Sequence, residues 1–286
     1  MNSLNFKHSI IFFNLCILLS PIYHTLTYTL TILCLFLILI IGISHGALDN
    51  IKGEKLFKLL GFNSNLLFYL SYIFISLLII LTWLIFPNIV LLIFLIVASF
   101  HFGKEDTVFK VKKNFLLNEI LFFFKGSSVI IAPLLFHRES TNEIFSTLNF
   151  YVFESTFFNN YLLMIFLILS FLSSICLSIG KSADLKNIMI LDYFSIIILN
   201  LFLTPVLAFT IYFCFLHSIR HSLSLINEMD RSFKKGLKKF IIKALPLTLI
   251  TGLFFLISIY FLNNLYKIDE AIYKVIFIGL ASLTFP

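Results

Sequence analysis

The sequence predicts an all-α fold, a polytopic transmembrane bundle of about eight to ten helices. The 286 residues are 60% hydrophobic and only 12% charged, whereas about 25% of residues in a soluble domain are charged. Mean hydropathy is +1.03. Long apolar runs recur along the chain without the alternating pattern of a membrane β-barrel. Together these observations indicate an integral membrane protein.

Ten apolar segments are predicted to enter or cross the bilayer: residues 9–20, 26–44, 66–86, 88–102, 115–136, 161–180, 188–204, 205–219, 241–262 and 271–285. A helix that crosses the hydrocarbon core needs about 20 residues, so we expect the shorter segments to be tilted or covered by their neighbours. No internal repeat or flexible linker divides the chain. We therefore expect one integral membrane domain, residues 1–286.

Basic residues are confined to alternate loops. The loops after the second, fourth, sixth and eighth segments are rich in lysine and arginine, and the loops between them carry almost none. By the positive-inside rule the basic loops face the cytoplasm. We therefore predict a multi-pass protein of the cell membrane with a cytoplasmic amino terminus. The basic loops that set this orientation account for the net charge of +7, so no nucleic-acid partner is expected.

Four of the seven histidines lie at the predicted cytoplasmic ends of three segments. Residues 42–49 read GISHGALD, residues 99–106 read SFHFGKED, and residues 213–221 read FCFLHSIRH. Ionisable groups inside a membrane are costly and mark functional sites. His217 and His221 are four residues apart and share one helix face, while His45 and His101 come from two other helices. The pattern predicts a metal site with these four ligands.

Imidazole ligands without thiolates suit iron, copper, zinc or nickel, and their chemistry alone does not choose among these ions. The four cysteines lie inside apolar runs without a CxxC pair, so they are not expected to bind a metal. Asp49 and Asp106 follow His45 and His101 closely and are candidates to accept a hydrogen bond from a ligating imidazole. Gly103 leaves space beside His101, for substrate or for helix packing.

The remaining polar residues within apolar segments are given structural roles. Lys125 and Asp192 are expected to pair with each other or to extend towards the interface, and Arg220 is expected to anchor a helix end at the head groups. His24 and His137 fall on the opposite side of the membrane from the predicted site. His8 lies on the same side as the site but is only an outside candidate.

Three other classes of protein compete with a mononuclear metal enzyme. A membrane di-iron desaturase or hydroxylase would need more histidines than this chain has. A metal or proton-coupled transporter would place its ligands near the bilayer midplane, with related halves. A haem-binding bundle with His45 and His101 as axial ligands would leave the His217–His221 pair unexplained.

The three histidine segments resemble those of the Brp/Blh-type β-carotene 15,15′-dioxygenases, integral membrane enzymes whose pattern reads PHGALD, HFGxxD and FCFWHSPRH. Ser44, Leu216 and Ile219 depart from that pattern, and none of them is a ligand position. Members also carry a Pro-His segment near the carboxyl end, for which this chain has no counterpart before Pro286.

The resemblance implies Fe²⁺ bound by His45, His101, His217 and His221, with β-carotene and dioxygen as substrates. It also implies two retinal molecules as products, supplied to a microbial rhodopsin. The bilayer would deliver the hydrocarbon substrate directly. The aromatic residues beside the ligands are candidate walls of the substrate cleft: Phe100, Phe102, Tyr212, Phe213 and Phe215.

Overall fold

The protein is helical throughout the residues that the structure describes. A computed structural model describes residues 2–21, 30–44, 46–48, 53, 56–61, 65–111, 115–155 and 158–286. No β-strand occurs in these ranges. The predicted all-α fold class is therefore confirmed.

The described residues form a succession of helices along the chain. In order they are α1 (Asn2–Leu19), α2 (Leu30–Leu37), α3 (Asn65–Ile85), α4 (Pro87–Glu105), α5 (Phe115–Phe136), α6 (Arg138–Thr147), α7 (Asn160–Leu177), α8 (Ala183–Phe202), α9 (Pro205–Ile211), α10 (Ile219–Met229), α11 (Phe233–Leu262) and α12 (Ile268–Thr284). A π-helical segment, Ile38–Gly42, continues α2, and a second, Tyr212–Ser218, joins α9 to α10.

Seven helices in the described part of the chain are long and apolar enough to cross a membrane. They are Leu66–Ile85, Pro87–Glu105, Leu116–Phe136, Asn160–Leu177, Ala183–Phe202, Pro205–Met229 and Phe233–Leu262. Two shorter apolar helices, Ser3–Leu19 and Leu30–Gly42, precede them in the sequence. This composition is that of a multi-pass membrane protein. The cytoplasmic position of the amino terminus stays a prediction.

Each predicted apolar segment overlaps a helix, but two features differ from the prediction. Helix α11 begins at Phe233 rather than at residue 241, because its first turns carry lysines that lower their hydropathy without breaking the helix. Helix α6 occupies part of the segment expected to be a loop. It is short and mostly polar, with Thr141, Ile144 and Phe145 buried, and a search for apolar spans overlooks such a helix.

Helices α4 and α5 approach each other more closely than any side chain would allow. A Cβ atom added to Gly103 would lie 1.8 Å from the carbonyl oxygen of Phe122, and one added to Gly126 would lie 1.9 Å from that of Ser99. Small residues commonly permit such backbone contact in membranes. Gly103 therefore serves helix packing rather than making space for substrate, and it fixes the end of α4 that carries His101.

Candidate metal centre

His217 lies in the second π-helical segment, Tyr212–Ser218, and only 1% of it is exposed. π-Helical turns are rare and are frequently found at functional sites. The segment packs against the first π-helical segment: Ser218 Oγ donates to the carbonyl of Gly42 at 3.3 Å, and a Cβ on Gly42 would lie 2.6 Å from the Phe213 ring. The two segments that precede His45 and contain His217 are therefore in contact.

His101, on α4, lies next to His217. The centroids of the two imidazole rings are 5.3 Å apart, and the ring planes are inclined at 63°. The residues are far apart in sequence and come from different helices, so their proximity is a product of the fold. Two of the four predicted ligands are thus brought together.

Asp106, at the end of α4, holds the ring of His217. Its Oδ1 lies 2.9 Å from His217 Nδ1, and because a carboxylate only accepts, Nδ1 donates. Tyr212 donates its hydroxyl to the other carboxylate oxygen at 2.6 Å. A carboxylate on the far nitrogen of an imidazole orients the ring so that a metal would bind at Nε2. Asp106 was expected as a partner near His101, but the contact recorded is with His217.

The charge of Asp106 is maintained despite its burial. The residue is 6% exposed. Burial alone would raise its pKa, but the attraction and hydrogen bond of His217, together with the nearby charges of Arg220 and Lys125, hold the pKa well below its usual value. The carboxylate can therefore accept both hydrogen bonds over the physiological pH range.

His221 lies one turn beyond His217, on α10. Its Nε2 is 3.5 Å from a carboxylate oxygen of Glu105, a residue that the sequence did not single out. In the ranges that the structure describes, no group of three or more histidine, cysteine, aspartate or glutamate side chains is arranged to hold a metal. The predicted ligand His45 and its candidate partner Asp49 lie outside those ranges.

Aromatic rings surround His217. The Phe213 ring stacks on the imidazole with centroids 5.7 Å apart and planes inclined at 16°, and Phe102 meets it edge-on at 5.0 Å. Tyr212 completes this group with its centroid 6.3 Å away. No ring contact with His217 is shown for the other two predicted cleft residues: Phe100 lies under the Lys104 ammonium, and the Phe215 side chain packs against the main hydrophobic core.

Arg220 is not a head-group anchor, contrary to the prediction. It is 4% exposed and forms a two-pronged pair with Asp192, at 2.6 and 3.0 Å. Asp192 therefore pairs with Arg220 and not with Lys125. The Lys125 ammonium donates to Thr107 Oγ1 at 2.9 Å and to the carbonyl of Gly103 at 3.3 Å. The sequence missed the pair because its members are separated by 28 positions and lie on different helices.

The remaining histidines lie in separate places. His8, on α1, contacts the carbonyl of Phe215 through Nε2 at 2.8 Å. His137 occupies the position before the first residue of α6, without a side-chain capping hydrogen bond, and it follows the end of α5 that is farther from α4 in sequence. His24 lies outside the described residues.

A small cavity of about 20 Å³, enough for about one water molecule, lies beside the Asp106 network. Its lining includes Asp106, Lys125, Asp192 and Tyr212. Charged and hydroxyl groups are costly to expose to a hydrocarbon. The cavity therefore suits water better than an apolar molecule.

Comparisons with known proteins agree with the histidine pattern. The sequence model of the family described as beta-carotene 15,15′-dioxygenase matches residues 36–286. A protein named beta-carotene 15,15′-dioxygenase, from an uncultured marine bacterium 66A03, is 29% identical over 260 residues, which cover 88% of this chain and 89% of that protein. No solved structure gives a significant match. The chain belongs to the β-carotene 15,15′-dioxygenase family and is an enzyme of the oxidoreductase class.

Proposed function

We propose that this protein cleaves β-carotene at its central 15,15′ double bond with dioxygen and releases two molecules of all-trans-retinal. The family and the bacterial relative support the substrate and the bond, since both carry them in their names. The membrane fold supports them as well, because a long hydrocarbon partitions into the bilayer and needs no aqueous route. A microbial rhodopsin in the same cell membrane is the proposed recipient of the retinal.

We propose Fe²⁺ as the cofactor, bound by His45, His101, His217 and His221. The donor set fits this ion, because neutral imidazoles bind divalent first-row metals of intermediate softness. The contact between Asp106 and His217 Nδ1 supports the proposal, since ligating histidines usually carry such a carboxylate. When bound, the ion would supply the activation of dioxygen.

The chain's own residues prepare the ligands and exclude water. Asp106 keeps His217 in one tautomer and one orientation, and Tyr212 holds the second oxygen of that carboxylate. Phe102 and Phe213 cover the imidazole on two sides. An apolar shell of this kind limits solvent access to a metal site. We propose that the polyene lies against these aromatic rings beside the ligands. The distance from the ends of the cleft to the metal would then select the central bond.

The close approach of His101 and His217, with Asp106 on the far nitrogen of His217, is the main structural support for the proposal.

The proposed function is tested by expressing the chain in a bacterial host that makes β-carotene. Wild-type protein should bleach the pigment and produce retinal, measured by chromatography of the extracted membranes. His217→Ala should abolish retinal formation, whereas the matched variant His137→Ala should retain most of it. Unchanged carotene in a host that accumulates folded wild-type protein would contradict the proposal.

A further inference from the structure

Helix α1 precedes the region matched by the family, residues 36–286, yet it contacts the helix that carries the predicted ligands. It packs along α8 and reaches the second π-helical segment. Its contacts with the site come from two consecutive residues, His8 and Ser9. The proposed function assigns no role to either of them.

Ser9 hydrogen-bonds to both members of the buried Arg220–Asp192 pair. Its hydroxyl donates to Asp192 Oδ1 at 2.9 Å and accepts from Arg220 Nη2 at 2.9 Å. Ser9 has no exposed surface, and both charged partners are at most 4% exposed. Additional hydrogen bonds to a buried ion pair help to offset the cost of removing its charges from water. The hydroxyl therefore ties α1, α8 and α10 together at one point.

His8 fixes the π-helical segment itself. Its Nε2 lies 2.8 Å from the carbonyl oxygen of Phe215, and since a carbonyl only accepts, Nε2 donates. Phe215 lies two positions before His217, within Tyr212–Ser218. A hydrogen bond from another helix to a carbonyl in this segment opposes rotation or a shift of register in the turn that carries His217.

Arg220 connects α1 to the predicted ligands. It lies between His217 and His221 in sequence, and its Nη1 is 3.5 Å from the backbone carbonyl of Asp106. The carboxylate of the same Asp106 orients His217. A guanidinium held by Asp192 and Ser9 therefore constrains both the histidine helix and the residue that orients one imidazole.

We propose that His8 and Ser9 are positioning residues, which hold the π-helical segment and Arg220 so that His217 and His221 face the metal. The part of this inference that concerns the metal rests on the proposed function. Ser9→Ala removes the two hydrogen bonds of the Ser9 hydroxyl and His8→Phe removes the one of His8, and neither variant changes Arg220 or Asp192. Ser20→Ala is the matched control, because Ser20 lies just after α1 and its hydroxyl donates locally, to the carbonyl of Ile17.

Two measurements on the purified full-length protein test the proposal. The first is titration of the metal-free protein with Co²⁺, followed by its visible absorption spectrum. The second is the rate at which diethyl pyrocarbonate modifies His217 in the metal-free protein, measured by mass spectrometry. For Ser9→Ala and His8→Phe we expect Co²⁺ affinity to fall by about tenfold, which is the lower end of the range of losses for residues that support a metal ligand. Modification of His217 should become several-fold faster, and Ser20→Ala should match wild type in both measurements.

Each outcome decides the matter. If both variants keep wild-type affinity, spectrum and modification rate, α1 does not position the ligands, whatever happens to the melting temperature. If Ser9→Ala does not fold, His8→Phe alone decides, since it removes a single hydrogen bond outside the ion pair. If wild-type protein binds no Co²⁺, the metal part of the proposed function fails. The rate of His217 modification then decides whether α1 positions this residue. Faster modification in the variants supports the role, and an unchanged rate overturns it.

Discussion

Helix α3 and the span that carries His217 are both apolar, but they are used differently. In an 18-residue stretch of Leu66–Ile85, 11% of the residues are buried inside the protein, against 67% in a stretch of the same length within Pro205–Met229. The mean hydropathy changes in the opposite direction, from 2.3 in the first span to 1.3 in the second. The more hydrophobic helix therefore lies on the outside of the bundle, and the less hydrophobic one lies inside.

The difference shows which helices of this protein can carry charged and polar side chains. Lipid is as apolar as a leucine side chain, so an outer helix gains nothing from polar groups, and a charged group there is costly. The inner span can carry Arg220 and His217 because neighbouring helices supply Asp192 and Asp106 as partners. The predictions below compare changes in this interior with matched changes at the surface.

The largest effect on stability is expected from Asp192→Ala. The change leaves the Arg220 guanidinium buried without its carboxylate partner, which costs roughly 3–5 kcal/mol. The measurement is the melting temperature of the purified protein in a mild detergent. Asp230→Ala is the control, because Asp230 pairs with Lys239 at the surface, and it should leave the melting temperature unchanged. Equal melting temperatures for the two variants would show that the interior pair is not essential.

Gly103→Ala should have the next largest effect. The new methyl group would collide with the backbone of α5 at Phe122, so the helices must separate, and overpacking of this kind costs about 1–3 kcal/mol. Retinal production and melting temperature should both fall. Gly252→Ala on α11 has no atom within 4 Å of the added carbon and should be neutral or slightly stabilising. A Gly103→Ala protein as stable as Gly252→Ala would contradict the close contact of α4 and α5.

Tyr212→Phe should affect metal binding more than folding. The variant keeps the aromatic ring but loses the hydrogen bond to Asp106. Removing a group that supports a ligand typically lowers metal affinity by about 10–100-fold, measured here by titration with Fe²⁺ without oxygen. Tyr161→Phe, at a position 79% exposed, is the control. Unchanged affinity in Tyr212→Phe would remove Tyr212 from the support of the site.

The smallest effect is expected from Leu84→Ala on α3. Leu84 is 72% exposed, so the side chain leaves no cavity when it is shortened. Substitutions at such positions usually change stability by less than about 0.5 kcal/mol. A large fall in melting temperature would show that α3 is covered by a partner rather than by lipid.

The apolar segments could be predicted from sequence because each depends on a local run of residues. The same local view missed α6, whose buried residues are too few to form an apolar run. It also missed the two π-helical segments, since a shift of hydrogen bonding by one residue leaves no mark in the order of residue types. The lysines at the start of α11 gave a boundary that was too late.

The histidine segments were visible as motifs, but their partners were not. Asp106 follows His101 in the chain yet bonds with His217, because the fold of α4 against the π-helical segment decides the contact. Arg220, Asp192 and Ser9 come from three different helices. No spacing rule joins residues so far apart, and only the packed structure shows that they form one cluster.

The most direct test of the metal centre is the iron content of the purified protein. Wild-type protein loaded with Fe²⁺ without oxygen should retain about one iron per chain after desalting, as expected for a single imidazole site. His101→Ala and His217→Ala should each lose most of it, while His137→Ala should match wild type. Full retention of iron by both His101→Ala and His217→Ala would contradict a metal bound between α4 and the π-helical segment.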